Sequence, residues 1–282
     1  MRMAAIWLLA VCCGVATARA DERVQAKLVA DVSAIRPGAS FTLGVLFQIK
    51  EGWHVYWQNP GEAGLPTKVK FTLAEGFSAS GVQYPIPADF TPVGGATTYG
   101  YEKSVMLLAE VQAPKELDVG KPVTIEATAS WLACREVCIP GSAKLSMALE
   151  VREESQAVNE DLFQNWRKKL PVTADMAQGV RVVRITGGAP SATSRPFEMQ
   201  LGLDSIPKRV EFFPLTAEAL VVEGVKIEQS EGPAQASIRF QVRQLPGAQK
   251  PAGASLPGVV VLIDQKGDRR GIRVDFPLAD SR

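Results

Sequence analysis

The stretch VTIEATASWLACREVCIPGSAKLSMALEV, Val123 to Val151, decides the reading of this chain. Val123, Ile125, Ala127, Ala129 and Trp131 alternate with Thr124, Glu126, Thr128 and Ser130. Leu145, Met147, Leu149 and Val151 repeat the alternation beyond a turn expected at Pro140-Gly141. A period of two puts one face of a strand in a core and the other in water, as in an antiparallel sandwich. Cys134 and Cys138 lie where the first strand ends. Residues four apart in a straight strand are separated by roughly 13 Å, whereas a disulfide needs Cα atoms within about 7 Å. The strand must therefore stop at or just after Cys134 and the chain turn back, or a helical turn must bring the two together. Either way the pair belongs on a bent, accessible segment.

The same alternation recurs upstream, in Phe41, Leu43, Val45 and Phe47. Arg152–Val158 is polar, and then Leu162, Phe163, Trp166 and Leu170 fall on one helical face. Asn159 is placed to cap that helix, Glu160 and Asp161 suit its positive end, Lys168 and Lys169 its negative end, and Pro171 stops it. From Val180 the strand pattern resumes in VRVVRIT, FEMQLGL, RVEFF, ASIRFQVR, GVVVLI and GIRVDF. These fit a second, smaller sandwich, with Gln244–Gly258 expected as a mobile Pro/Gly/Ala-rich loop between two of its strands. The expected class is all-β, as two antiparallel β-sandwich domains joined by a short helix. The expected divisions are 1–20, 21–152, 153–172 and 173–282.

Composition narrows the function. Lys+Arg number 31 against 30 Asp+Glu, a formal charge of +1, which argues against a nucleic-acid binder. The one histidine excludes His-rich metal sites and leaves any Ser–His–Asp scheme only His54; His54 itself reads as a surface or hydrogen-bonded side chain. Residues 1–20 have the pattern of a cleaved secretory signal peptide: Met1-Arg2, an apolar run from Met3 to Ala18, and a small-x-small site at Ala18-Arg19-Ala20. Its removal takes the charge from +1 to −1 and takes away Cys12 and Cys13. Cys134 and Cys138 are then the only cysteines, in an exported compartment that permits disulfides.

Three readings of that pair stand side by side. As a staple it closes a loop of only five residues, which the chain-entropy model values at about 2 kcal/mol against about 4.7 for a loop of about 100. As a redox pair its short spacing is an advantage, because both thiols stay close when reduced and one can resolve the mixed disulfide made by the other. Arg135 favours a thiolate there and Glu136 opposes it. As a metal site the pair forms a two-thiolate Cu(I) centre, without a Met cluster beside it. Gly52–Pro66, GWHVYWQNPGEAGLP, reads as a strand with core aromatics followed by a rigid loop. Pro92–Glu102, with Tyr99 and Tyr101, reads as a hairpin loop or as a flap over a reactive site.

Four pieces in this order, GWHVYWQNPGEAGLP, YPIPADF, YGYEKSVML and WLACREVCIPGSAKLSMAL, resemble the periplasmic N-terminal region of the DsbD/ScsB family of thiol–disulfide interchange proteins. The resemblance is closest to the ScsB (suppressor of copper sensitivity) branch and covers roughly residues 25–150. It implies an immunoglobulin-like fold, a periplasmic location and a catalytic redox pair at Cys134 and Cys138. Either cysteine can be the attacking thiol, Cys138 being the one favoured, and no cofactor is expected. It implies a cap loop, for which Tyr99 and Tyr101 are the candidates. It also implies partners: periplasmic thioredoxin-like or other thiol proteins. The family's membrane domain and thioredoxin-like domain have no counterpart before Arg282, so a separate membrane-embedded thiol reductase is expected, the alternatives being that the chain acts alone or has left the electron pathway. A copper- or protein-binding sandwich with a structural disulfide is the alternative.

Overall fold

The computed structural model describes residues 22–90, 95–188, 191, 194–215, 220–230, 234–245 and 255–277. Residues 1–20, expected as a signal peptide, lie outside them, as do 92–94 of the expected flap. Among the described residues no helix is long and apolar enough to cross a membrane.

The first half supplies β1 (Val24–Ala30), β2 (Ser40–Ile49), β3 (His54–Gly61), β4 (Lys68–Thr72), β5 (Ser78–Ala79), β6 (Ala88–Asp89), β7 (Thr98–Glu102), β8 (Ser104–Gln112), β9 (Pro122–Cys134) and β10 (Cys138–Glu150). Helix α1 (Glu160–Arg167) follows. The second half supplies β11 (Val172–Thr173), β12 (Val180–Gly187), β13 (Ser194–Leu203), β14 (Arg209–Pro214), β15 (Leu220–Ser230), β16 (Gln235–Gln244), β17 (Ser255–Ile263) and β18 (Arg269–Pro277). The described residues are all-β apart from α1.

The first sandwich pairs a sheet of order β1-β2-β8-β5 with one of order β10-β9-β3-β7-β6, to which β4 adds along β9. Its core holds Leu43, Val45 and Phe47 from β2 together with Ile125, Ala127, Ala129 and Trp131 from β9, the residues that the period-two pattern places inward. The second sandwich stacks β11-β18-β17-β14 on β12-β13-β16-β15. Its core is built from Phe197, Met199, Leu201, Ile238, Phe240 and Val260.

The two cores meet across a single sheet. On β17, Leu256, Val260 and Leu262 face the second core, while Val259 and Val261 belong to the first. On β14, Val210 and Phe212 face one way and Phe213 the other. That two-sided burial is why GVVVLI is a continuous apolar run and not an alternating one. Phe213 packs edge-on against Trp57 and Tyr99, at centroid distances of 6.1 and 5.1 Å. Asn59 Nδ2 donates to Pro214 O at 2.7 Å, and Arg269 donates to Pro87 O at 2.7 Å. α1 buries Phe163 and Trp166 in the first core.

Several local expectations change. Pro140 and Gly141 are not a turn: they pair with Leu132 and Trp131 inside β10, and the reversal is made by Arg135-Glu136-Val137. Gly141 serves a different purpose, since a Cβ there would collide with the Trp131 indole across the ladder. Asn159 stands at the start of α1 with φ 54° but makes no side-chain cap; its amide instead donates to Ala30 O at 2.9 Å. Ser255–Gly258 of the expected loop belong to β17, and 246–254 lie outside the described residues. β15 was not expected. Gly224 sits at φ +62°, and the pairing of β15 with β16 shifts between Glu223 and Lys226, so a bulge interrupts its alternation.

Phe213→Ala removes a fully buried ring that joins the two cores. It is expected to lower the stability of the oxidised chain by about 3–5 kcal/mol, measured by urea unfolding. A loss below about 1 kcal/mol contradicts this packing.

Candidate functional site

β9 ends at Cys134 because the three-residue reversal starts there, and Cys138 begins β10 directly opposite. The Cα atoms are 4.2 Å apart and the sulfurs are bonded. The turn is closed by Arg135 N donating to Val137 O at 3.2 Å. The two sulfurs differ in surroundings: Cys134 is 2 % exposed, whereas Cys138 lies on the surface. Val137 beside it is 61 % exposed, an apolar side chain in water next to the bond.

The register extends the row. Cys138 pairs with Cys134, Cys134 with His54 on β3, and His54 with Glu102 on β7. Residues directly opposite on antiparallel strands point to the same face with Cβ atoms about 4.5–5.5 Å apart. Cys138, Cys134, His54 and Glu102 therefore form one line across four strands. Two residues along β3, Tyr56 returns to the same face, and its hydroxyl lies 3.9 Å from Cys138 Sγ. Gly64, at φ +99°, lets the loop after β3 lie on the Tyr56 ring, where any side chain would clash. The His54 ring stacks on Phe90 at 4.9 Å with an interplanar angle of 11°, and meets Tyr56 edge-on at 5.2 Å.

Burial lowers the His54 pKa below its ordinary 6.5, and the Glu102 carboxylate pulls it partly back. Burial raises the Tyr56 pKa above its ordinary value. Arg135 is turned toward Trp53, its guanidinium carbon 5.7 Å from the ring centroid, and is 4.0 Å from Glu136 at the surface. Among the described residues no group of three or more His, Cys, Asp or Glu is arranged to hold a metal ion.

The two tyrosines named as cap candidates sit elsewhere. Tyr101 is wholly enclosed in the first core and donates its hydroxyl to Pro85 O at 2.7 Å, and burial holds its pKa well above 10. Tyr99 is 7 % exposed and lines a cleft of about 390 Å³ between the two halves. Its pKa is pushed up to about 12, first by burial and then by Asp89 and Glu62. The groups at the disulfide are instead His54, opposite Cys134, and Tyr56, at Cys138 Sγ, with Phe90 stacked on His54. The sequence signal for the first two was their spacing of two on β3; their approach to the cysteines depends on strand order, which spacing does not encode.

Residues 21–150 match the family model described as "Thiol:disulfide interchange protein DsbD, N-terminal". Among solved structures, the N-terminal periplasmic domain of ScsB from Proteus mirabilis is similar in fold over 93 % of this chain and 97 % of its own, at 18 % identity and a TM-score of 0.66. The N-terminal domain of DsbD from Neisseria meningitidis, in the reduced form, covers 46 % of this chain and 89 % of its own at 18 % identity, with a TM-score of 0.22. Among curated proteins nothing matches the chain.

The lowered His54 pKa makes stability depend on pH in a defined window. Above pH 6.5 the imidazole is neutral in both states. As the pH falls below 6.5 the unfolded chain takes up the proton first, so stability declines until the lower folded pKa is passed. Urea unfolding of the oxidised protein from pH 7.5 down to pH 5 is expected to show this decline, and His54→Gln to flatten it. Identical pH dependence in the two proteins contradicts the assignment.

Proposed function

We propose that the chain relays reducing equivalents to partner proteins through Cys134 and Cys138, a reading supported by the match of residues 21–150 to the DsbD N-terminal family model. The observation that carries the reading is the asymmetry of the pair: an exposed Cys138 bonded to a buried Cys134 at a turn. In the reduced protein the Cys138 thiolate attacks a partner disulfide, forming a mixed disulfide and releasing one partner sulfur. Cys134 then attacks Cys138 Sγ, closes the bond and releases the second partner sulfur. The partner disulfide gains two electrons and the cysteine pair loses them.

The site fits that use in three ways. The reversal at 135–137 projects Cys138 outward, where an incoming protein can reach it. Val137, 61 % exposed, offers apolar contact beside it. On the other side Tyr56 lies against Cys138 Sγ and His54 stands opposite Cys134, with Phe90 stacked on His54, and these groups, rather than Tyr99 and Tyr101, flank the bond. The partners are thiol proteins of the periplasm, thioredoxin-like ones among them, with the chain exported by residues 1–20 and recharged by a membrane-embedded thiol reductase.

Single-cysteine variants test the roles. Cys134→Ala leaves the exposed thiol and is expected to trap mixed disulfides with exported thiol proteins. Cys138→Ala leaves the buried thiol and is expected to trap at least tenfold fewer, scored by non-reducing electrophoresis and mass spectrometry. Failure of both variants to trap any partner removes the relay; the reverse ranking reverses the roles.

A further inference from the structure

The four-residue row holds a group that the exchange chemistry described so far leaves unused. His54 stands opposite Cys134, the buried member of the pair, and Glu102 stands on its other side. A buried thiol is a poor nucleophile because burial disfavours its thiolate. Cys134 must nevertheless attack Cys138 Sγ to release the partner. Solvent reaches its sulfur poorly, since the residue is 2 % exposed.

We propose that His54 is the proton acceptor for Cys134 in the step that closes the disulfide. The proposal rests on the relay reading and specifies how its second step proceeds. The neutral imidazole takes the proton from the Cys134 thiol as that sulfur attacks Cys138 Sγ. The Sγ–Sγ bond forms, the bond from Cys138 to the partner sulfur breaks, and the partner sulfur leaves with the electron pair. The imidazolium then gives its proton to that thiolate or to water. In the opposite direction, the imidazolium protonates the Cys134 sulfur as it leaves. Thiol, imidazole and carboxylate in sequence follow the general logic of a nucleophile, a base and a group that orients the base, with the strand register supplying the order.

The surroundings of His54 suit a base. Glu102 from β7 faces it as the nearest carboxylate. Across the ladder to β9 it stands opposite Cys134, and the Arg135 guanidinium is drawn off toward Trp53. Tyr56 on its own strand is neutral, its pKa raised by burial. Phe90 stacks on the ring and fixes its plane. Burial keeps the imidazole unprotonated around neutrality, the form a base requires.

The two exchange steps separate in one experiment. The reduced full-length protein is mixed with 5,5′-dithiobis(2-nitrobenzoate) in a stopped-flow instrument and thionitrobenzoate release is followed at several pH values. The first release reports attack by Cys138 and depends on reagent concentration; the second is unimolecular and reports attack by Cys134. In the unaltered protein the second rate is expected to level off by about pH 7. In His54→Gln it is expected to be at least tenfold slower at pH 7 and to keep rising toward the ordinary thiol range near about 8.5, converging on the unaltered protein at higher pH. The first rate is expected to change less than threefold. Glu102→Gln, which leaves the imidazole in place, is expected to move the acid limb of the second rate to lower pH. A second rate in His54→Gln that matches the unaltered protein within twofold overturns the proposal, as does a uniform loss at every pH. Should His54→Gln fail to fold, His54→Phe, which keeps the stack on Phe90, carries the same expectations. Loss of the first release in every protein speaks against the relay itself, whereas loss of the second-phase plateau alone speaks for His54.

Discussion

The reversal from β9 to β10 in three residues is the constraint on which the rest of the site depends. It places Cys138 opposite Cys134 with Cα atoms 4.2 Å apart, so the disulfide closes with each cysteine already in its strand register. The loop closed is too short for the bond to contribute much entropy of cross-linking, and the two ladders are held by thirteen residue pairings in any case. What the bond gains from its position is asymmetry. One sulfur lies in the sheet next to a histidine and the other lies at the surface beside an exposed valine.

The second half of the chain is tied to this site through β3. At one end that strand carries His54 and Tyr56 to the disulfide; at the other, Trp57 and Asn59 meet Phe213 and Pro214. β14 and β17 present alternate side chains to both cores, so the two sandwiches share one buried sheet. Fixing β3 at both ends limits how far His54, Tyr56 and Phe90 can move relative to the sulfurs.

Much of this was legible in the residues. Period-two patterns located β2, β9 and β10, the distance argument required the chain to turn after Cys134, and the periodicity of Leu162, Phe163 and Trp166 located α1. Three things were not legible, each for a physical reason. Pro140-Gly141 has turn composition, yet glycine is needed there for the Trp131 ring and the exposed proline is tolerated on an edge strand. β15 is broken by a bulge that removes its alternation. The neighbours of the cysteines come from strand order, since His54 on β3 is some 80 residues away from Cys134 on β9 in sequence but opposite it in the sheet; a lone histidine reads as a surface or hydrogen-bonded side chain, and the aromatics after it as core, until that order is known.

The central claim is that Cys134–Cys138 is an exchange pair and not a staple, and its reduction potential tests this most directly. Equilibration of the full-length chain against defined glutathione or thioredoxin buffers, with alkylation and mass measurement of the reduced fraction, gives the value. The account predicts a potential above about −300 mV, in the range where dithiol pairs trade electrons with other proteins. A potential well below about −300 mV, the range of structural disulfides, contradicts it.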